Sequence, residues 1–172
     1  DYILSIYQDR SGLLWVGTSN DGLNSFHPGL EAFEHFANDP SNPRSLIDNN
    51  ITSLLVDGTG TTWVGTRGGL GRLDRATGTF THFTHDPSNP KSLAENAAPF
   101  LYEDKSGVMW VGTYSSGLDR FDRATGTFTH FKRDPATPNT LSDNRIYALL
   151  EDHTGVLWVG TYGGGLNRFD RA

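Results

Sequence analysis

Short apolar runs alternate with polar turns along the whole chain. In one stretch the runs are "PFLYED", "VMWVGT", "LDRFD" and "TFTHF", and the turns between them are "KSG", "YSSG" and "RATG". Aromatic and β-branched residues stand at alternate positions of these runs, which is typical of β-strands. No segment shows the helical period of apolar positions over the ten or so residues that a helix needs. The pattern predicts an all-β chain of short antiparallel strands.

Four tryptophans reveal an internal repeat. Trp15, Trp63, Trp110 and Trp158 each precede "VGT", and their spacings are 48, 47 and 48 residues. The shorter spacing arises because the second copy reads "RGGL" after "WVGT", where the third reads "YSSGL". Four short strands in a repeat of this length are typical of a β-propeller blade, a four-stranded antiparallel sheet.

Burial explains why such repeats stack. One four-stranded sheet cannot cover both of its faces, whereas neighbouring blades cover each other. The tryptophans are therefore predicted to lie between blades. Gly12, Gly107 and Gly155 are predicted to take positive φ values in the tight turns between the first two strands of a blade.

The chain is predicted to form a single β-propeller segment over residues 1–172. The last copy ends at "NRFDRA", where two others continue into "TGTFTHF", so the last blade is predicted to lack its outer strand. A piece of a longer propeller is favoured. Self-association, such as two chains giving eight blades, and four blades closing alone with a bare edge are the alternatives. The approximate blade bounds are 1–46, 47–93, 94–141 and 142–172.

Charge and cysteine content exclude several classes of partner and of chemical site. The chain has 14 basic and 20 acidic residues, for a net charge of −6, which argues against nucleic acid as a partner. Cysteine is absent, which excludes disulfides, thiol catalysis and cysteine-based zinc sites. No apolar stretch approaches the roughly 20 residues of a membrane span, so no membrane contact is predicted for this segment.

The phrase D-x-[ST]-G-x-x-W-V-G-T-x-x-G-L-x-R-F-D, which occurs four times with small departures such as "LNSF" and "LGRL", resembles the two-component regulator propeller repeat. In that family the repeats build large propellers in the periplasmic sensor regions of bacterial hybrid histidine kinases, many of which sense oligosaccharides. The resemblance implies a periplasmic or extracellular location and a sensor role in signal transduction. This chain holds fewer than four complete blades and shows no kinase or receiver segment.

One aspartate recurs at the same place in every repeat. "DRSGLLW" also resembles the Asp-box of sialidases, S-x-D-x-G-x-x-W, although the gap between Asp and Gly is one residue longer. A calcium ion would need six to eight oxygen ligands, and each repeat offers only one carboxylate here. A turn in which the carboxylate binds backbone N–H groups is therefore favoured over a metal site. The residues are Asp9, Asp57, Asp104 and Asp152.

Histidines and linker asparagines receive structural interpretations. The histidines of the "HF" pairs fall on outer strands of different blades, so they diverge and do not form a metal site. The remaining histidines are interpreted as isolated surface residues. Asn49, Asn96 and Asn144, which follow the proline-containing linkers, are predicted to bind backbone at the strand entrance. The two histidine sets are His35, His82 and His130, and His27, His85 and His153.

Enzyme activity is not predicted. No serine or threonine stands in a nucleophile motif. Glycoside hydrolysis needs two carboxylates facing each other across a cleft, and the glutamates are scattered along the sequence. A carbohydrate-active enzyme of the lyase or sialidase type remains an alternative. The glutamates are Glu31, Glu34, Glu95, Glu103 and Glu151.

A ligand site is predicted where the repeats differ from each other. The loops between second and third strands, and the linkers between blades, open on one end of a propeller. There the chain mixes aromatic rings with amide, carboxylate and guanidinium groups, which suit sugar rings and their hydroxyls. Ordinary loop variation is the alternative. The candidate residues are Asn20, Asp21, Asn50, Arg67, Tyr114, Arg145, Tyr147 and Tyr162.

These observations predict a non-enzymatic sensor segment of a two-component signalling protein, without metal or cofactor. A small polar ligand or an oligosaccharide is the predicted partner, with further blades of the same protein or a second copy completing the ring. The main alternative is a structural or protein-interaction propeller that self-assembles.

Overall fold

The computed structural model describes residues 2–169, which form fifteen β-strands and no helix. The strands make four antiparallel sheets, in which each strand pairs with its neighbour in sequence. This arrangement confirms the predicted all-β fold built from propeller blades. We call the four sheets blade one to blade four in chain order.

The strand bounds follow the sequence repeat. Blade one contains β1 (Ile3–Gln8), β2 (Leu14–Thr18), β3 (Leu23–His27) and β4 (Ala32–Phe36). Blade two contains β5 (Ile51–Val56), β6 (Thr62–Thr66), β7 (Leu70–Asp74) and β8 (Thr79–Phe83). Blade three contains β9 (Phe100–Glu103), β10 (Met109–Gly112), β11 (Leu118–Asp122) and β12 (Thr127–Phe131). Blade four contains β13 (Ile146–Glu151), β14 (Leu157–Thr161) and β15 (Gly165–Phe169).

Blade four has three strands within the described residues, as the sequence predicted. Its outer edge is therefore β15 rather than a fourth strand. The inner strands β1, β5, β9 and β13 contact one another in succession, so consecutive blades stand side by side.

The core lies between blades. Trp15 is 1% exposed and packs in a cluster with Ile51, Val64 and Phe80 of blade two. Trp63 and Trp110 occupy the same position between blades two and three and between blades three and four. The predicted position between blades is thereby confirmed for these three tryptophans, whereas Trp158 of blade four is only half-buried.

Glycine is required where the blades approach most closely. A Cβ on Gly65 would lie 2.3 Å from the backbone oxygen of Ala98 in the next blade, so a side chain would push the inner strand away. The turn glycines have the predicted positive φ values, at 87° for Gly12, 81° for Gly107 and 88° for Gly155.

Each linker is fastened by its asparagine. The side-chain oxygens of Asn49, Asn96 and Asn144 each accept a hydrogen bond of 2.6 Å from a backbone N–H eleven residues earlier, which confirms the predicted role. His85 is exposed, as predicted, but it is not isolated. Its Nδ1 lies 2.9 Å from the backbone oxygen of Leu93, where the side chain of Asn38 makes the same kind of bond in the preceding linker.

Candidate functional site

The antiparallel strands give every blade two ends with different residues. The turns between first and second strands and between third and fourth strands lie at one end, which we call the turn face. The loops between second and third strands and the linkers between blades lie at the other end, which we call the loop face. The recurring aspartates lie on the turn face, and the predicted ligand residues belong to the loop-face segments.

The aspartates shape the turns and hold the tryptophans. In blade two, Oδ1 of Asp57 accepts hydrogen bonds from the backbone N–H groups of Thr59 and Thr61 at 2.9 and 3.0 Å. Its Oδ2 accepts from Trp63 Nε1 at 2.8 Å. The same turn and tryptophan contacts occur at Asp9, Asp104 and Asp152, so the predicted turn is confirmed.

Among the bonds that the structure describes, Asp9 and Asp57 also bind an arginine of the next blade, which the sequence analysis did not foresee. Arg75 of blade two lies 2.8 Å from Asp9 of blade one, and its guanidinium stands 5.0 Å from the Trp15 ring centroid. Arg123 of blade three forms an ion pair with Asp57. Both arginines stand in the repeated "RATG" turn, but nothing in the local sequence marks a partner in the preceding blade.

Hydrogen bonding overcomes burial at these carboxylates. Burial by itself would raise the pKa of Asp57, but bonds from Thr59, Arg123 and Trp63 hold the pKa at about 2. The pKa of Asp9 is likewise held at about 2, since bonds from Ser11 and Arg75 outweigh its burial. These carboxylates stay charged at neutral pH and serve as anchors between blades.

The loop face of blades three and four carries a cluster of exposed aromatic rings. Tyr147 on β13 lies between Phe100 of blade three and Tyr162 of its own blade, with ring centroids 5.8 Å away in both directions. Tyr147 and Tyr162 are 62% and 58% exposed. The two tyrosine rings therefore present open faces to solvent, whereas Phe100 is partly buried and supports Tyr147 from the side of blade three.

A fixed cation completes this cluster. The Arg145 guanidinium stands 4.8 Å from the Tyr162 ring centroid, within the range of a cation–π interaction. Asp143 holds it in place through two bonds, at 3.0 Å to Nε and 2.8 Å to Nη2. The pKa of Asp143 is lowered to about 2 by these bonds from Arg145. A backbone bond of 2.9 Å from Tyr162 N to Arg145 O keeps loop and strand together.

The remaining candidates belong to blades one to three. Asn50 uses its side-chain N–H to bind the backbone oxygen of Ser19 at 2.6 Å, which joins blades one and two. Asn20 donates to the Ser19 hydroxyl at 3.1 Å, so Asn20 and Asn50 meet at this residue. Arg67 is exposed and bonds through its backbone N–H to Asn50. Asp21 is exposed in the same loop as Asn20.

Tyr114 occupies in blade three the loop position that Tyr162 occupies in blade four, and it is 48% exposed. The next loop residue, Ser115, donates from both its backbone and its hydroxyl to Glu95 at 2.9 Å. Two members of the aromatic cluster, Phe100 and Asp143, were missed from sequence. Phe100 reads as a core residue of an inner strand, and Asp143 stands among ordinary linker residues.

Three of the glutamates considered for catalysis bind backbone or arginine. Glu95 binds Ser115, Glu103 lies 2.8 Å from Arg123, and Glu151 accepts from the backbone of Lys105 at 2.6 Å. Glu95 is on the loop face, whereas Glu103 and Glu151 end inner strands at the turn face. The arrangement does not bring these three carboxylates to one cleft.

Within residues 2–169 no group of three or more histidine, aspartate or glutamate side chains is arranged to hold a metal ion. The same part of the chain contains no helix long and apolar enough to cross a membrane.

Solved structures with similar folds are much longer than this chain. The extracellular domain of a protein described as a hybrid two component system, BT3049 from B. thetaiotaomicron, is 26% identical with a TM-score of 0.81 over 99% of this chain and 25% of its own length. The corresponding domain of BT4673 from the same organism is 28% identical with a TM-score of 0.76, over 100% of this chain and 22% of its own. Both are extracellular domains, in agreement with the predicted location.

A more distant structure shows the fold alone. PorZ, a surface component of the type-IX secretion system of Porphyromonas gingivalis, is 18% identical with a TM-score of 0.55, over 97% of this chain and 32% of its own. Comparison with curated protein sequences gives no significant match.

The family comparison agrees with the repeat. A sequence model described as "Two component regulator propeller" matches residues 1–20, 45–68, 92–115 and 140–163, once per blade. The matches cover more than half of the residues and confirm the resemblance seen in the repeated phrase. The chain therefore belongs to the two component regulator propeller family.

Proposed function

We propose that this chain is part of an extracellular sensor propeller of a two-component signalling protein and binds a small polar ligand on its loop face. The relatives from hybrid two component systems support the sensor role. The chain spans about a quarter of the length of these relatives. The signalling activity of a whole protein is therefore itself part of the proposal. No catalytic step is part of it.

The cluster of the exposed residues Arg145, Tyr147 and Tyr162, together with the partly buried Phe100, carries this proposal. Flat aromatic faces bind the C–H faces of sugar rings, and a guanidinium with a fixed position donates hydrogen bonds to hydroxyl or carboxylate oxygens. Asp143 orders Arg145 before any ligand arrives, which lowers the entropy cost of binding. A carbohydrate, neutral or acidic, is the ligand class that this combination favours.

Replacing Tyr162 with alanine is expected to weaken binding of a carbohydrate ligand about tenfold or more. The substitution removes an aromatic face on which the ligand stacks and the ring that the Arg145 guanidinium contacts. Arg145→Gln is expected to weaken binding to a similar degree. The measurement is calorimetric titration with the best ligand found in an oligosaccharide panel.

His153→Ala is the matched control, because His153 is exposed on the turn face of the same blade. It is expected to bind as the unaltered chain does. Equal affinity for the two loop-face variants and the control would contradict a site at this cluster.

Self-assembly is a second candidate, favoured by the free faces of the first and last blades. Ile3, Ile6 and Phe33 of blade one are 60%, 62% and 71% exposed. Their counterparts in blade two include Ile51 and Phe80, which are buried against Trp15 at 0% and 4% exposure. Blade one therefore presents to solvent the surface that the internal blades use for packing.

Blade four presents the complementary surface. Leu150 and Leu166 are 61% and 67% exposed, while Leu118, the counterpart of Leu166 in blade three, is fully buried against blade four. Blade one of a second copy fits here as one internal blade fits the next.

The double variant Ile6→Glu, Phe33→Glu is expected to remain monomeric at concentrations where the unaltered chain associates, because two charges cannot be buried in an apolar contact. Sedimentation velocity over a range of concentrations measures this. Tyr114→Glu, which places a charge on the loop face, is expected to associate normally. If the unaltered chain is monomeric at all concentrations, further blades of the same protein would instead be favoured as the partners that bury the exposed faces of blades one and four.

A further inference from the structure

A buried carboxylate and a histidine join blade three to the linker that precedes it. Asp119 on β11 lies opposite His130 on β12, and His130 Nδ1 stands 2.6 Å from Asp119 Oδ1. The side chain of Asp119 is fully buried, whereas that of His130 is 22% exposed. Asp119 Oδ2 accepts from the backbone N–H of Ala94 at 2.8 Å, and His130 Nε2 lies 2.9 Å from the backbone oxygen of Pro90. The pair therefore holds the linker at two points.

The carboxylate is particular to blade three within residues 2–169. The strand register places Asn24, Gly71 and Asn167 at the position of Asp119 in blades one, two and four. In blade four, Asn167 Oδ1 accepts from the backbone N–H of Ser142 at 2.9 Å, which is the same linker bond. A neutral amide thus suffices to hold a linker, so the bond itself does not require a group that can lose or gain a proton.

The contacts of His130 fix how many hydrogens the pair must hold. A backbone carbonyl oxygen only accepts, so Nε2 must carry the hydrogen that binds Pro90. A second hydrogen must lie between Nδ1 and Asp119 Oδ1, while Oδ2 stays free to accept from Ala94. Imidazolium beside carboxylate and neutral imidazole beside carboxylic acid both meet this requirement. With one hydrogen fewer, two acceptors face each other at 2.6 or 2.9 Å.

Burial makes the folded chain hold this proton. Burial raises the pKa of Asp119, because it outweighs the bonds from His130 and Ala94 and the charge of Lys132. The folded chain therefore binds the proton more tightly than the unfolded chain does. Stability from such a proton is fully present below the ordinary value of 3.8 and is lost as the pH rises through the raised pKa. Low pH therefore favours the fastened linker.

Few other charges act on the pair. Within residues 2–169, no ion pair links Asp119 or His130 to a third charged group. β10, the other neighbour of β11, places the apolar Val111 opposite Asp119, and blade two contributes the ring of Phe83 to the adjoining cluster. The charged and titratable residues of the linker are His85, Asp86, Lys91 and Glu95, and Lys132 follows β12.

The linker held by the pair continues directly into the loop face. Ala94 is followed by Glu95, whose carboxylate accepts from the backbone N–H and the hydroxyl of Ser115, both at 2.9 Å. Ser115 belongs to the loop between β10 and β11 and follows Tyr114, which is 48% exposed. A displacement of Ala94 therefore reaches this loop through one step of backbone and one side chain.

We infer that Asp119 and His130 form a proton-dependent clasp that fastens the linker between blades two and three and, through Glu95, the loop that carries Tyr114. The clasp is closed while the pair holds two hydrogens. When the pH rises and one hydrogen is lost, either the contact with Pro90 or the contact between the two side chains becomes repulsive, and the linker loosens. The clasp acts whether or not a ligand binds at the loop face.

The test is NMR of the isotopically labelled chain from about pH 5 to about pH 8.5, the range in which histidines titrate. The ring signals of His130 and the backbone N–H signals of Ala94 and Ser115 are expected to shift with one common midpoint. Phe128 reports on the linker, since its N–H donates to Lys91 O at 2.9 Å. Its hydrogen exchange, corrected for the intrinsic rate, is expected to rise about tenfold or more over this range.

Asp119→Asn copies the arrangement of blade four. Its amide oxygen accepts from Ala94 and its NH₂ group donates to Nδ1 of neutral His130, which leaves Nε2–H for Pro90. The rise in Phe128 exchange and the shifts at Ala94 are therefore expected to disappear in this variant. A rise as large as in the unaltered chain would overturn the inference, and so would constant Ala94 and Phe128 signals in the unaltered chain while His130 titrates.

A second pair of variants keeps the test decisive if Asp119→Asn does not fold. His82 of blade two is the matched histidine, because it lies 2.7 Å from the backbone oxygen of Ser45 but stands opposite Gly71 instead of a carboxylate. His82→Gln is expected to leave the pH response of Phe128 unchanged, whereas His130→Gln is expected to abolish it. An unchanged response in His130→Gln would overturn the inference.

Discussion

Replacing Trp63 with alanine is expected to lower the free energy of unfolding by about 3–5 kcal/mol, the range found for large aromatic residues removed from a core. The indole is 1% exposed and lies between blades two and three. Its ring centroid is 5.8 Å from Phe83 and 5.3 Å from Phe121, so the substitution removes ring contacts to both blades. Urea unfolding followed by circular dichroism measures the change.

Trp158→Ala is the matched control, since Trp158 has the same place in blade four but is only half-buried. Trp158→Ala is expected to lower the free energy of unfolding by less than half as much as Trp63→Ala, because no further blade of the described chain covers the face of blade four on which Trp158 lies. Equal losses for the two variants would contradict the conclusion that the tryptophans act by filling the space between blades.

Replacing Asp57 with asparagine is expected to lower the free energy of unfolding by about 1.5–3 kcal/mol at neutral pH, the range for hydrogen bonds to a charged group, because the side chain of Arg123 is 32% exposed and partly screened by solvent. The carboxylate accepts bonds from the turn on one oxygen and from Trp63 and Arg123 on the other. If the amide oxygen of the new asparagine accepts the hydrogen bonds of the turn, its NH₂ group, which is itself a donor, faces the donors of Trp63 and Arg123. Arg123 then keeps only Glu103 as its ion-pair partner.

The cost of Asp57→Asn is expected to depend on pH. The pKa of Asp57 lies at about 2 in the folded chain, against an ordinary value of 3.8. A lowered pKa contributes stability that is fully present above about pH 4 and is lost as the pH falls towards about 2. The difference between the unaltered chain and the variant should therefore shrink over this interval when urea unfolding is repeated at each pH.

Asp152→Asn is the control for this series. Asp152 makes the same turn and tryptophan contacts but has no ion pair within residues 2–169. Its replacement is expected to cost clearly less than that of Asp57. A cost as large as that of Asp57→Asn would show that the turn contacts, and not the bond between blades, provide the stability.

The candidate site shows where sequence reasoning reached its limit. Variation between repeats directed attention to Arg145, Tyr147 and Tyr162, which do contact one another. The same reasoning grouped Asn50 with them, although its amide is used to join two loops. A list of variable positions cannot distinguish a side chain that faces solvent from one that bonds to the neighbouring blade.

The sequence by itself determined the blade, because strand alternation, turn glycines and the aspartate–tryptophan spacing act over a few residues within one repeat. Contacts between repeats were decided by the tertiary structure. The bond from Arg75 to Asp9 spans 66 residues, and no local pattern marks its partner. The contact between the rings of Phe131 and Phe169 likewise exists only because stacking brings blades three and four together. Local propensities fix how each blade forms, whereas burial between blades fixes which charges pair and which surfaces remain open.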